Sequence, residues 1–292
     1  MNVVPLLSSG TPCPLTGTLH LPRMYTKIAA DGKGVLAEGY PAIGKGFDQM
    51  VITALGLTPE KVTEAAKGRA YPAFVEELRL QGANFDAEAP YGGELARLGA
   101  DGIEVWNEMN IDREWPAGQI NPATYVDLLR RSYNAIKAKN ANTLVISGAL
   151  APTGAEGAFG LDRVWNDDRY IRGMAAAGAV NYMDCIGVHY NEGILSPILS
   201  AGDPRNPSDY YSRYYPAMVS LYYNVFGGAK KLCFTELGYL SPEGYGTLPT
   251  TFAWGTDTSA AEQAQWLGEA ANLSKNGGLV RLMIVFNVDF KE

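Results

Sequence analysis

Two segments of this 292-residue chain each end a run of mostly apolar residues with a glutamate. Glu108 follows the run IEVWN at 103–107, and Glu236 follows the run LCFT at 232–235. A glutamate placed where a buried strand ends lies at the rim of a sheet and faces any molecule bound above it. Two carboxyl groups from different strands are the minimum set for general-acid and nucleophilic catalysis at a glycosidic bond. A pair at one rim is a stronger signal than either glutamate alone.

The elements that must position these glutamates alternate from residue 103 onward between short apolar runs and longer helical stretches. The runs begin about 40 to 50 residues apart, which is the length of a strand, a helix and two loops. Because they are apolar on both faces, they are typical of a covered parallel sheet. We predict strands at 103–108, 143–150, 185–190, 231–237 and 282–288. We predict helices at 122–139, 168–177, 209–225 and 258–275.

Alternating strands and helices with the chemistry at strand ends predict an α/β fold, a (β/α)8 TIM barrel. We interpret residues 1–292 as one barrel domain in which 1–49 is poorly defined. Five strand–helix units fit after residue 103, so three must precede it, and the first two are atypical or incomplete. Before residue 103 the strand candidates are 50–56, 2–7 and 23–29, the helix candidates are 60–67 and 72–80, and 81–94 resembles an irregular insertion.

Composition and charge exclude several classes of partner. A net charge of −7, with no cluster of Lys and Arg among aromatic residues, argues against a nucleic-acid partner. No apolar run is long enough to span a membrane, so no membrane partner is expected. No signal peptide is visible, which leaves a cytoplasmic and a processed, secreted protein both open, and the oligomeric state is open too. The two histidines and three cysteines lack metal-ligand spacing, so we expect no metal and no cofactor.

For Cys185, Cys233 and Glu104, the sequence predicts a structural and not a catalytic role. If side chains alternate strictly along the strands, Cys185 shares a face with His189, whereas Cys233 lies opposite to Glu236. That pattern disfavours a disulfide and predicts buried free thiols. Glu104 lies four residues deeper than Glu108 on the same face, where we predict a buried structural carboxylate paired with a basic residue.

The motifs resemble the clan of retaining β-glycoside hydrolases built on TIM barrels, in which an Asn-Glu pair ends the fourth strand and a second Glu ends the seventh. Asn107-Glu108 matches the first motif and Glu236 the second. The run IEVWNEMNIDREW at 103–115 is most similar to cellulase- or xylosidase-like barrels, and the resemblance covers about residues 100–290. It implies that Glu108 is the acid/base, that Glu236 is the nucleophile, and that Asn107 donates to the sugar 2-hydroxyl.

The resemblance also implies roles for residues at the ends of strands six and eight. In this clan a Tyr or His at the end of strand six contacts the nucleophile, which here is His189 or Tyr190. The clan often carries a tryptophan under the sugar at strand eight, where this chain has Phe286-Asn287. Asn287 is therefore a candidate substrate residue, and Trp254 or Trp115 is the alternative sugar platform.

The activity implied is hydrolysis of an oligosaccharide or polysaccharide with β-linkages by double displacement. Two alternatives use the same fold. One is a catalytically silent carbohydrate-binding barrel, because a barrel without its first strands would be open and would lack cleft residues. The other is a transglycosylase, which uses the same carboxylates and differs only in its acceptor.

Overall fold

The computed structural model describes residues 7, 13, 15–16, 18–38, 40–43, 46–85, 90–205, 207 and 209–286. The chain divides into two compact units. One unit consists of Met1–Ala100 with Arg131–Thr143, and the other of Asp101–Arg130 with Leu144–Glu292. None of the helices in the described ranges is both long and apolar enough to cross a membrane.

The regular elements in the described part of the first hundred residues are helices joined by turns and loops. These helices are α1 (Leu21–Asp31), α2 (Phe47–Ala54), α3 (Pro59–Ala66), α4 (Tyr71–Leu80) and α5 (Pro90–Arg97). The helices predicted at 60–67 and 72–80 are confirmed as α3 and α4. Part of the predicted insertion at 81–94 belongs to α5, whereas the strand candidate at 2–7 lies outside the described residues.

Two strand predictions in this unit are wrong, because 50–56 lies largely in α2 and 23–29 lies in α1. In α2 the buried residues Val51 and Ile52 are followed by buried Leu55, which is helical spacing. All of them belong to one apolar cluster with residues of α1, α3 and α4. A short apolar run fits a buried strand and a buried helix equally well by periodicity, and here packing against other helices decides.

The second unit contains a five-stranded parallel sheet with strand order β1-β2-β3-β4-β5. The strands are β1 (Gly102–Val105), β2 (Leu144–Ser147), β3 (Cys185–Gly193), β4 (Lys231–Tyr239) and β5 (Val280–Val285). Each overlaps its predicted run, so the mixed α/β class and the parallel sheet are confirmed. The described residues supply five strands of this sheet, and the closed eight-stranded barrel and the single domain stay predictions.

The predicted helices between these strands are present. They are α6 (Pro122–Lys139), α8 (Asp167–Ala176), α9 (Tyr215–Val225) and α10 (Ala260–Gly277), with a short additional helix α7 (Glu156–Phe159). Asn121 caps α6 by accepting from the backbone N–H of Ala123 at 2.8 Å. Helix α9 starts six residues later than predicted, because Pro216 cannot lie inside a helix and instead occupies its first turn.

The pairing of β3 with β4 contains an extra residue, and this overturns the prediction of free thiols. The register passes from Val188 opposite Phe234 directly to His189 opposite Glu236, so Thr235 is unpaired. Strict alternation therefore fails between Cys233 and Glu236. Cys233 lies opposite Gly187, on the face of Cys185, and Cys185 and Cys233 form a disulfide with a Cα–Cα distance of 5.9 Å.

Candidate active site

Glu108 is held by a sharply turned backbone immediately after β1. Trp106 and Glu108 have positive φ angles of 76° and 42°, which are uncommon for residues other than glycine. The Glu108 N–H donates to the carbonyl oxygen of Ala149 at 2.9 Å. Close approach of this segment requires Gly148, since a Cβ there would lie 2.7 Å from the Val105 oxygen. Strained conformations of this kind cluster at functional sites, where surrounding contacts keep them in place.

His189 lies between the two glutamates that the sequence singles out. Its Nδ1 is 3.1 Å from Glu108 Oε1 and 3.6 Å from Glu236 Oε2. One atom from each of the three side chains lies within 4.8 Å of the other two. The His189 side chain is 1 % exposed, whereas those of Glu108 and Glu236 are 12 % and 22 % exposed. The structure thus brings together three predicted site residues, with the carboxyl groups reachable from solvent.

Asn191 is a site residue to which the sequence prediction, which favoured His189 or Tyr190 of the same cluster, assigned no role. Its Nδ2 donates to Glu236 Oε2 at 2.7 Å. The available signal was its position two residues after His189, since alternate residues of a strand face the same side. Tyr190, between them, is buried and donates its hydroxyl to the Arg213 carbonyl at 3.0 Å. Of the two candidates left open, His189 is therefore the one that contacts Glu236.

Arg113 is a second residue that the sequence prediction missed, and no pattern in the sequence singles it out. Its guanidinium donates to Glu108 Oε2 and also lies 3.1 Å from Glu114 Oε1. Burial tends to raise the pKa of Glu108, but the neighbouring His189 and Arg113 outweigh it and hold that pKa below its ordinary value. The Arg113 side chain is 67 % exposed, so the pair can open without disturbing packed groups.

Glu104 differs from its prediction, because its hydrogen-bond partners are neutral groups and not a basic residue. Glu104 Oε1 accepts from the Ala149 N–H and from the Thr235 hydroxyl, both at 2.9 Å. Burial raises the pKa of Glu104, and the nearby Glu236 adds to that rise, while the two hydrogen bonds and the nearby His189 oppose it. A third carboxyl group therefore lies next to the pair.

The remaining predicted site residues lie in different surroundings. Asn107 is half-buried beside Glu108. Trp115 is 7 % exposed, donates to the Gln119 carbonyl and packs edge-on against Trp106, as a core residue does. Trp254 is half-buried, and the Arg205 guanidinium covers one face of its ring at 4.4 Å. Asn287 lies outside the described residues.

Glu108, His189 and Glu236 also form the one set of potential metal ligands found among the described residues. The sequence prediction did not include it, because the three residues come from three strands and share no local spacing. Separations of up to 4.8 Å are wide for ligands of one zinc ion, which lie at most about 4.4 Å apart. The expectation of no metal stays a prediction.

No protein-family model and no curated protein matches this chain. Among solved structures it is similar to a Paenibacillus polymyxa xyloglucanase of glycoside hydrolase family 44, with 16 % identity over 72 % of this chain and 49 % of that one and a TM-score of 0.42. A family 39 glycoside hydrolase from Bacteroides cellulosilyticus has 19 % identity over 80 % of this chain and 51 % of that one, with a TM-score of 0.40.

A monomeric β-xylosidase from Caulobacter crescentus has 22 % identity over 74 % of this chain and 37 % of that one, with a TM-score of 0.36. The chain spans about half the length of the Paenibacillus polymyxa xyloglucanase. Because every one of these TM-scores is below 0.5, only the residues of the chain itself bear on its function.

Proposed function

We propose that this chain is a retaining glycoside hydrolase that cleaves β-linked oligosaccharides or polysaccharides with Glu108 and Glu236. The observation that carries the proposal is the grouping within 4.8 Å of Glu108, just after β1, His189, on β3, and Glu236, on β4. A retaining mechanism requires two carboxyl groups about 5–5.5 Å apart, whereas inversion needs about 6.5–9.5 Å to admit a water. The close spacing supports retention.

The two carboxyl groups have different surroundings, which suits different roles. Glu236, bonded by Asn191 and adjacent to His189, is the nucleophile that attacks the anomeric carbon. Glu108 protonates the leaving oxygen and then removes a proton from the water that releases the sugar. Asn107, Trp254 and Asn287 are the proposed sugar contacts that complete the site.

Glu108 must take up a proton before it can act as the acid. In the free protein, His189 and Arg113 favour its ionised form. A bound sugar excludes water from the site and displaces the exposed Arg113 side chain, which removes the positive charge of Arg113 from Glu108. The proposal therefore includes opening of the Arg113–Glu108 ion pair on substrate binding.

The curvature of the sheet supports a barrel as the scaffold. Adjacent strands are about 4.8 Å apart, so β1 and β4 would be about 14 Å apart in a flat sheet. Glu104 on β1 nevertheless accepts a hydrogen bond from Thr235 on β4. Side chains from these strands can meet in this way only if the sheet curls around them, as it does in a barrel.

Hydrolysis of a panel of aryl β-glycosides tests the proposal. We expect Glu108→Ala and Glu236→Ala each to lose at least about a thousandfold in kcat/KM, because each removes a group that acts in the transition state. Azide should restore turnover of Glu236→Ala with the opposite anomer as product. Glu76→Ala, at an exposed position on α4, is the matched control. Wild-type turnover by Glu236→Ala would refute the assignment.

A catalytically silent carbohydrate-binding protein is the second candidate, favoured by one observation. The described residues form five strands of the sheet, whereas a closed barrel of this type has eight. Calorimetric binding of an oligosaccharide, with no product after prolonged incubation of the wild-type protein, would favour this candidate over the hydrolase.

A further inference from the structure

Glu104 lies below the proposed catalytic pair and is joined to both members through intermediate groups. Its Oε1 accepts two hydrogen bonds, from the Ala149 N–H and from the Thr235 hydroxyl. Ala149 also binds the backbone of Glu108, and the bulge at Thr235 directly precedes Glu236. A role for Glu104 in catalysis rests on the proposed function.

The first connection leads to Glu108. Ala149 follows β2, and its carbonyl oxygen accepts from the Glu108 N–H at 2.9 Å while its N–H donates to Glu104. Glu108 has a positive φ of 42°, a conformation that needs external contacts to persist. Glu104 fixes Ala149, and Ala149 in turn fixes the backbone of Glu108.

The second connection leads to Glu236. Thr235 is the unpaired residue between the β3–β4 pairs Val188–Phe234 and His189–Glu236. An extra residue in a strand reverses the faces of all side chains beyond it, so this bulge sets the side on which Glu236 projects. The Thr235 hydroxyl, bonded to Glu104, anchors the bulge at that point.

We propose that Glu104 is a positioning residue whose single carboxylate oxygen holds both proposed catalytic residues at their working separation, Glu108 through Ala149 and Glu236 through Thr235. Hydrogen bonds to this one acceptor on β1 join it to the segment after β2 and to the bulge within β4. A misplacement of about 1 Å can cost about a hundredfold in rate, so this linkage should affect kcat far more than substrate binding.

Burial and Glu236 favour the neutral form of Glu104 more strongly than the two hydrogen bonds and His189 oppose it, so its pKa is raised, which is consistent with this role. A neutral carboxyl group or an amide keeps an acceptor oxygen for Ala149 and Thr235. The proposal therefore depends on the acceptor oxygen and not on the negative charge. Glu104→Gln keeps that oxygen and Glu104→Ala removes it, so the two variants should differ in activity.

The test compares Glu104→Ala, Glu104→Gln, Thr235→Val and Thr235→Ser by steady-state kinetics on an aryl β-glycoside. We expect Glu104→Ala and Thr235→Val to lose about 10- to 100-fold in kcat, with KM within about threefold of wild type. Glu104→Gln and Thr235→Ser, which keep the acceptor and the hydroxyl, should stay within about threefold in kcat. The double variant Glu104→Ala/Thr235→Val should be no slower than Glu104→Ala alone.

Thr124→Val, at an exposed position on α6, is the matched control for the hydroxyl deletion. If Glu104→Ala does not fold, the comparison of Thr235→Val with Thr235→Ser still tests the positioning role, because Val and Ser each differ only slightly in size from Thr. Wild-type kcat in Thr235→Val or Glu104→Ala, or equal impairment of Glu104→Gln and Glu104→Ala, would overturn the positioning role. Absence of any wild-type hydrolysis, or an active Glu236→Ala variant, would instead refute the proposed function.

Discussion

At the scale of single residues, charge distinguishes the two proposed catalytic carboxyl groups. Both carboxyl groups lie next to His189, but Glu108 also pairs with Arg113, whereas Glu236 receives a hydrogen bond from the neutral amide of Asn191. Arg113, which pairs directly with Glu108, is an exposed cation, so this is the contact that mutation can alter with least damage.

Arg113→Gln should move the alkaline limb of the kcat/KM profile to higher pH. Arg113 lowers the pKa of Glu108, so its removal raises that pKa, and the protonated acid survives to higher pH. The measurement is a pH–rate profile on an aryl β-glycoside. Arg79→Gln, on an exposed part of α4, should leave the profile unchanged. An unmoved limb in Arg113→Gln would show that Glu108 is not the group that sets it.

Asp167, buried at the start of α8, should make folding stability depend on pH. Burial raises its pKa to about 6 from 3.8, although Tyr211, Tyr222 and the Thr153 N–H donate to it. The folded state therefore favours the protonated carboxyl. Its contribution is fully present below about pH 4 and is lost as the pH rises through about 6, a change of about 3 kcal/mol.

Urea unfolding at pH 4.5 and pH 7 checks this expectation. Asp167→Asn cannot ionise, so its free energy of unfolding should change less between the two pH values than that of the wild type. An equal change in both proteins would contradict the assignment to Asp167.

At the scale of elements, β3 and β4 form the most firmly joined part of the site. They share the disulfide Cys185–Cys233, and the bulge at Thr235 follows two residues beyond it. His189 and Glu236 project from these strands four and three residues past their cysteines. The disulfide thus holds in register the two strands that carry them.

Replacing both cysteines, in Cys185→Ala/Cys233→Ala, should destabilise the protein by about 4 kcal/mol, the loop entropy for a separation of 48 residues. Urea unfolding under oxidising conditions measures the loss. Cys13→Ala removes the buried free cysteine and is the matched control. Equal stability of the double variant and the wild type would show that the link contributes nothing.

At the scale of the whole molecule, the proposed hydrolase makes a prediction about the stereochemistry of its product, because that depends on the separation of the carboxyl groups. One atom of Glu108 and one of Glu236 lie within 4.8 Å of each other, which fits the close spacing of retention and not the wider spacing that admits an attacking water. Hydrolysis of an aryl β-glycoside should therefore release the β-anomer first. Proton NMR during the first turnovers distinguishes the anomers, and initial release of the α-anomer would rule out retention.

Most of the second unit was predictable from the sequence, because its signals are local. The strands β1 to β5 are short apolar runs with regular spacing, and α6 and α10 have N-caps at Asn121 and Ser259. In the first unit the sequence did not distinguish a buried helix from a buried strand at 50–56. Both structures bury Val51 and Ile52, and the choice depends on which elements pack against them.

Sequence alone was enough to predict the parallel sheet and to single out Glu108 and Glu236, because hydrophobic periodicity and motif order are properties of neighbouring residues; β4 runs three residues past Glu236, which was predicted close to the strand end. The disulfide, the choice of His189 over Tyr190, and the contacts of Asn191, Arg113 and Glu104 depended on the tertiary structure. The physical reason is largely the register of β3 with β4. One unpaired residue, Thr235, reverses the faces of the side chains beyond it, and a bulge leaves no mark in hydrophobic periodicity.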